Sequence, residues 1–461
     1  MKTTKQNLII FAVALSLLFT SCEKIIEVPE SKNQIESGIV FQDASTATSA
    51  LLGIYFTLGT PSSAANANVK FISLYADEYN YTAANSTVIQ FNQSQLAIDN
   101  SSSAAIWNSL YSSIYQCNSL IEGIDGSSSL TAADRMTLKA EAKFLRAYAY
   151  FYLVNIYDNI PLILKTDVNL NKVALQTTSK MINDQIVQDL LEAKSELGTA
   201  YQGSGKVRAN SWAASAMLSR VYLYQGRWSD AEKEATAIIN SGLYSPLPKL
   251  EDVFLAGSKE AILQFWSANG FVGDATTIIP ASATVLPPYT ITDGLYQAFE
   301  GTDGRKSKWV MTNNVTASGI TKSYNYPSKY KNRVANTTRP EFVMALRLSE
   351  VYLIRAEALA QQDNIAAAVS DLNVIRTRAT GLTGIQNNIS KQACLDAVAK
   401  ERRLELFGEW GNRFLDLKRT GQLDAVLGTL KTTYKPDVAK AFPIPSNEIT
   451  YNPNLIQNYG Y

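Results

Sequence analysis

Two stretches of this chain, more than 100 residues apart, share one helical spacing, and that shared spacing constrains the fold more than any other feature. In the first, Ala213, Ala214, Ala216, Leu218, Val221 and Leu223 lead to Gly226, followed by Ala231, Ala235 and Ile238. In the second, Val351, Leu353, Ile354, Ala356, Ala358 and Leu359 lead to Asp363-Asn364, followed by Ala368, Leu372 and Ile375. Apolar residues recurring at three and four positions mark one face of a helix. Glycine or Asp-Asn supplies the turn, and the small residues let the second helix approach the first closely. Such a helix–turn–helix unit cannot bury its apolar face alone, so it must stack on others. The long gap makes the expected array interrupted, a scaffold carrying insertions.

Similar spacing predicts helices over 45–58, 105–124, 131–158, 178–197, 211–225, 228–241, 347–361, 364–378, 391–408 and 421–430. Thr131, Asn210 and Ser390 stand where N-caps are needed. The fold class is therefore mostly α, a tetratricopeptide-like helix-pair scaffold with a large irregular, partly β insertion over about 243–345. Helical scaffold is expected over 37–242 and 346–430, and a closing segment over 431–461. A second irregular stretch is expected over 59–104. Long irregular segments inside a compact domain commonly work in binding. The central one holds Trp266, Tyr289, Tyr296, Trp309 and Tyr324, and the earlier one holds Asp77, Glu78, Tyr79, Asn80 and Tyr81. Rings stack on apolar C–H faces while amides, carboxylates and phenols bond hydroxyls, so these ten residues are the candidate ligand contacts, and a sugar is the matching ligand. The two insertions are expected to face each other across the scaffold. Aromatic residues on helices, such as Tyr148, Tyr150, Phe151, Tyr152, Tyr222 and Tyr224, read as core.

The chain has no histidine, which excludes Ser-His-Asp and Cys-His catalysis and His-ligated metal sites. A net charge of +1 without basic runs argues against nucleic acid as a partner. At the N-terminus, Lys2 and Lys5 precede an apolar run from Leu8 to Phe19 and then Thr20-Ser21-Cys22. About a dozen apolar residues suit a secretory signal and are too few to span a bilayer. Small residues before Cys22 resemble a lipobox, although Phe19 stands where leucine is usual. The expectation is a signal peptide over 1–21, lipidation of Cys22 and a tether over 22–36, the competing reading being an ordinary signal with a coincident cysteine. Of the remaining cysteines, Cys117 has the spacing of a buried core residue. Residues 37–461 are expected to form one domain.

Further segments resemble a known family: Glu141 to Ala147 with Tyr150-Phe151 and Pro161-Leu162, Arg347 to Leu353 with Arg355 to Ala358, Glu401-Arg402-Arg403 with Glu405-Leu406, Arg413, Asp416-Leu417 and Arg419, and the closing Phe442 to Pro445 with Asn452-Pro453 and Tyr461. With Trp107, Tyr111 and Asn118, these are similar to the signatures of SusD/RagB outer-membrane lipoproteins. Trp410-Gly411-Asn412 departs from the family's usual Glu-Gly and is expected to alter only local packing. The resemblance implies a cell-surface lipoprotein of the outer membrane, named from polysaccharide-utilisation systems. It further implies capture of glycans, in some branches peptides, for a SusC-like TonB-dependent β-barrel transporter, with no catalytic turnover.

Paired carboxylates do glycoside hydrolysis, but Glu141, Glu350, Glu357, Glu401 and Glu405 each lie near an arginine in sequence, as intrahelical or interhelical ion pairs do. A carboxylate hydrolase and a purely structural scaffold remain the readings from other classes. Gly203-Ser204-Gly205-Lys206 lacks the rest of a phosphate loop and reads as a turn. No metal-ligand spacing and no cofactor motif is present, so none of either is expected.

Overall fold

The computed structural model describes residues 40–59, 64–245, 247–379, 382 and 384–461. The signal-like run, Cys22 and the tether lie outside the described residues. Phe41–Tyr461 forms one compact unit. Its longer helices are α1 Ala44–Gly59, α2 Ala64–Tyr75, α3 Ser101–Gly126, α4 Ala132–Tyr157, α5 Ser179–Glu196, α6 Ser211–Tyr224, α7 Trp228–Asn240, α8 Leu348–Gln361, α9 Ile365–Arg378, α10 Lys391–Leu406, α11 Asn412–Arg419 and α12 Leu423–Leu430. Caps set several starts: Thr131, Asn210 and Ser390 accept from the amides of Asp134 (3.1 Å), Ala213 (3.0 Å) and Ala393 (3.2 Å), each cap contributing about 1 kcal/mol. Helix α4 lies between α3 and α5 and buries Phe144, Tyr148, Tyr150, Phe151, Tyr152 and Tyr157. Cys117 is buried in the same core.

The two similar units are α6–α7 and α8–α9. Their turns use a left-handed residue at matching positions, Gly226 at φ 68° and Asp363 at φ 64°. In space the units are neighbours, because α7 packs directly on α8. Gln362 Nε2 donates to Glu232 across that contact at 2.7 Å. Beneath it, Arg220 of α6 forms a two-pronged pair with Glu350 of α8 at 2.7 and 2.6 Å. The array is interrupted in the chain but continuous from α3 to α9 in the fold, which corrects the expectation from spacing alone.

The insertion leaves and rejoins the scaffold through a buried antiparallel pair, β4 Ala261–Phe265 with β8 Val343–Arg347. Within it, β6 Val310–Ala317 and β7 Ile320–Pro327 form a hairpin, whose turn residues Ser318 and Gly319 take φ 51° and 79°. Two short antiparallel pairs complete the strands, β1 Tyr79–Tyr81 with β5 Tyr289–Ile291 and β2 Ile160–Pro161 with β3 Gln176–Thr177. The stretch expected to be irregular over 59–104 instead holds α2, β1 and a helix at Ser86–Asn92 capped by Asn85. These elements are short and rich in serine and asparagine, so their apolar period is weak. Helix α11 escapes the period for another reason: Arg413, Asp416, Lys418 and Arg419 are turned to distant ion pairs.

Candidate functional site

The site is built where α2 ends and the chain turns through Asp77 and Glu78 into β1. The Asp77 carboxylate accepts from Arg403 Nη2 at 2.7 Å and from Arg413 Nε at 2.7 Å. Burial by itself would raise its pKa, but the hydrogen bonds and charge of Arg413, with Arg403, outweigh it and hold Asp77 below the ordinary value. Glu78 accepts from the Gly408 amide at 3.2 Å, and its other oxygen makes no hydrogen bond of normal geometry among the described residues. Burial pushes this carboxyl up to about 7. These anchors fix the start of β1 against α10 and α11.

Strand β1 then pairs with β5 in the register Tyr79 to Ile291, Asn80 to Thr290 and Tyr81 to Tyr289. Thr292 donates from its amide to Glu78 O at 2.9 Å and from its hydroxyl to Asp77 O at 2.7 Å. Thr82 Oγ1 reaches Pro287 O at 2.6 Å. The two irregular stretches are thus joined strand to strand. A strand's period of two sends Tyr79 inward and Asn80 out, and accordingly Tyr79 is buried and Asn80 exposed. Tyr81 is half-buried, its ring centroid 5.2 Å from that of Tyr289.

The β6–β7 hairpin borders this pair, since β7 packs on β5. Asn313 Nδ2 donates to Ser282 O and Val285 O, both at 2.8 Å, tying the hairpin to the exposed loop before β5. Opposite Asn313 stands Tyr324, half-buried. The structure therefore brings Tyr81, Tyr289 and the hairpin that carries Tyr324 together, while Asn80 lies on the opposite face of β1 from Tyr81. Tyr296 is half-buried on the helix Asp293–Ala298, with Lys306 Nζ 4.1 Å from its ring centroid. Trp266 follows β4, 52% exposed. Trp309 is different: it is 0% exposed, its Nε1 donates to Leu250 O at 2.9 Å, and its ring meets Phe254 and Phe407. Like Asp77, Glu78, Tyr79 and Tyr289, it is buried.

The five glutamates of the sequence motifs are all ion-paired across the fold. Glu141 meets Arg208, Glu350 meets Arg220, Glu357 meets Arg419, and Glu401 and Glu405 share Arg305, at 2.6 and 3.0 Å. Glu405 also binds Arg347 and Arg378. The partners are remote in sequence, so the nearby arginines that suggested ion pairs are in most cases paired elsewhere. Lys329 was not singled out by sequence, yet it lies buried against Glu409 at 2.6 Å and over the Trp309 and Phe407 rings. Its one sequence signal is a lysine beside the aromatic run at Tyr324 and Tyr326. Trp410, the departure from the expected motif, is buried against Tyr148, Tyr152 and Phe265 and donates to Met344 O at 2.6 Å. Lys206 closes its turn by donating to Ser258 O at 3.0 Å.

Residues 32–223 match the family model described as starch-binding associating with outer membrane, and residues 289–461 match that of the SusD family. The chain belongs to the SusD family. A SusD-like protein of Formosa agariphila is 24% identical, with 99% of each chain covered. The starch-binding protein SusD of Bacteroides thetaiotaomicron is 24% identical over 73% of this chain and 75% of its own. Among solved structures, a SusD homolog of Bacteroides thetaiotaomicron has a TM-score of 0.79 at 20% identity, covering 93% of this chain and 99% of that one. A laminarin-binding SusD-like protein has a TM-score of 0.73 at 24% identity, covering 91% and 99%. The helix-pair scaffold with its insertion is thus the SusD fold. Carbohydrate binding in association with the outer membrane is the general character of this family.

Proposed function

We propose that this SusD-family chain is a cell-surface glycan receptor, held in the outer membrane through a lipidated Cys22. It captures oligo- or polysaccharide at the β1/β5 surface and delivers it to a SusC-like TonB-dependent β-barrel transporter, without catalytic turnover. The observation that carries this reading is the β1–β5 pairing, which sets Tyr81 against Tyr289, sends Asn80 outward and brings the Tyr324 hairpin alongside. The Tyr81 ring on β1 and the Tyr324 ring on the hairpin that borders β5 suit a sugar's C–H face, and their phenols suit its hydroxyls. Glycoside hydrolysis needs two carboxyls flanking an open cleft. Here the acids lifted toward neutrality by burial, Glu78 to about 7 and Asp274 to about 6, are only 1% and 2% exposed, which favours binding over hydrolysis.

The test is calorimetric titration of the purified full chain with oligosaccharides from laminarin and from starch. Rings worth about 0.5–1.5 kcal/mol each, with several hydrogen bonds, predict affinities on the order of µM to mM, with no new reducing ends. Tyr81→Ala and Tyr324→Ala should each weaken binding about tenfold while leaving the fold intact. Unchanged affinity in both variants refutes the site, and oligopeptide binding without glycan binding moves the chain to the peptide branch. Cys22→Ser should release the protein from membranes, and the wild-type chain should co-purify with a β-barrel transporter.

A further inference from the structure

A cleft of about 480 Å³ opens between the end of α8, the outer side of α10, α11 and the start of α12, within the range of small-ligand sites. Its charge is unusual. Four guanidinium groups line it, those of Arg402, Arg403, Arg413 and Arg419, and three carboxylates answer them, Asp77 and Glu357 buried and Asp416 half-buried. Asp77 is shared between Arg403 and Arg413. Asp416 is shared between Arg402 and Arg419, and Glu357 takes the other edge of Arg419 at 2.6 and 2.7 Å. The fourth acid, Asp396, is exposed at the mouth, where it accepts from Gln392 Nε2 at 2.8 Å. Two donors of the cluster are unanswered: Arg402 Nη1, on a side chain 2% exposed, and Arg403 Nε have no hydrogen-bond partner among the described residues.

We propose that this cleft is a second binding site, separate from the aromatic surface, for the carboxylate of an acidic saccharide such as a uronate. A ligand carboxylate suits guanidinium donors in their planar fork. Gln361, Gln392 and Gln422 at the walls suit the sugar hydroxyls, and Leu395 and Val426 offer an apolar strip to the ring.

Calorimetric titration of the full chain with trigalacturonate, and with its methyl ester, tests the proposal. Trigalacturonate should bind and the uncharged ester should bind at least tenfold more weakly. Gln392→Glu adds a repelling charge at the exposed rim, and Ala399→Trp fills the cleft from an exposed position on α10; neither touches an ion pair. Each should weaken trigalacturonate at least tenfold with Tm unchanged, while Tyr81→Ala leaves it unaltered. No binding to the folded wild-type chain, equal binding of the ester, or full binding in both cleft variants overturns the proposal. So does loss of trigalacturonate in Tyr81→Ala alone, which assigns the anion to the aromatic surface. Because neutral glycans are titrated separately, the two sites fail independently.

Discussion

Replacing Arg220 by methionine tests whether the two helix units, 130 residues apart along the chain at this contact, are joined as the fold implies. Arg220 and Glu350 meet through two charge-assisted bonds of 2.7 and 2.6 Å, with side chains only 2% and 6% exposed. Water therefore screens this pair little. Arg220→Met keeps the side-chain bulk but strands a buried carboxylate, and Glu350→Met strands the guanidinium. Removing one partner of such a pair costs about 3–5 kcal/mol. The double variant leaves no buried charge behind and should lie within about 1–2 kcal/mol of the wild type, since apolar replacements of buried ion pairs are often near neutral. Tyr152, which receives a 3.0 Å bond from Arg220, loses that partner in either Arg220 variant. Urea unfolding followed by far-UV circular dichroism measures all four proteins, and an unchanged slope lets the midpoint shifts be read as stability. Single variants costing under about 1 kcal/mol, or a double variant as unstable as the sum of the singles, would refute the reasoning.

Burial lifts Glu78 from its ordinary 4.5 to about 7, so between those pH values the folded chain keeps a proton that the unfolded chain has lost. Its contribution to stability therefore falls as pH rises through that window. Glu78→Gln, which retains an acceptor for Gly408, should remove that slope. The variant should gain up to about 3 kcal/mol on the wild type between pH 4 and pH 8, whereas parallel melting curves across this range would contradict the assignment. Gly411 sits at φ 69°, where an added Cβ would lie 2.6 Å from Ile72 Cγ2. Gly411→Ala should therefore cost about 2–3 kcal/mol, read as a lower urea midpoint. Trp266→Ala, at a ring 52% exposed, should leave stability within about 0.5 kcal/mol, and a glycan titration of the same variant reads whether this ring meets ligand.

How much of the chain was legible without coordinates depends on the range of the interactions involved. Helices such as α4 and α6 could be read because their apolar period and their caps, Thr131 and Asn210, are local. Helix α11 was illegible because its charges serve partners elsewhere, as Arg413 serves Asp77, 336 residues away in the chain. The Asp77–Tyr81 group stood out by its residue types, but those types do not reveal that Asp77, Glu78 and Tyr79 are buried anchors while Asn80 is exposed and Tyr81 half-buried. Trp309 and Tyr289 look in sequence like Trp266 and Tyr324, and only packing separates the two buried rings from the exposed Trp266 and the half-buried Tyr324.

The sequence by itself determined the helix-pair architecture, the position of the insertion, the family signatures and the absence of histidine chemistry. Period, capping and composition are properties of near neighbours or of the whole chain. The tertiary structure decided which charge meets which, that the α6–α7 and α8–α9 units touch, and that β1 meets β5. Those outcomes depend on closing loops of 100 residues and more, where one pairing wins over its competitors through burial and hydrogen bonding that no local pattern encodes.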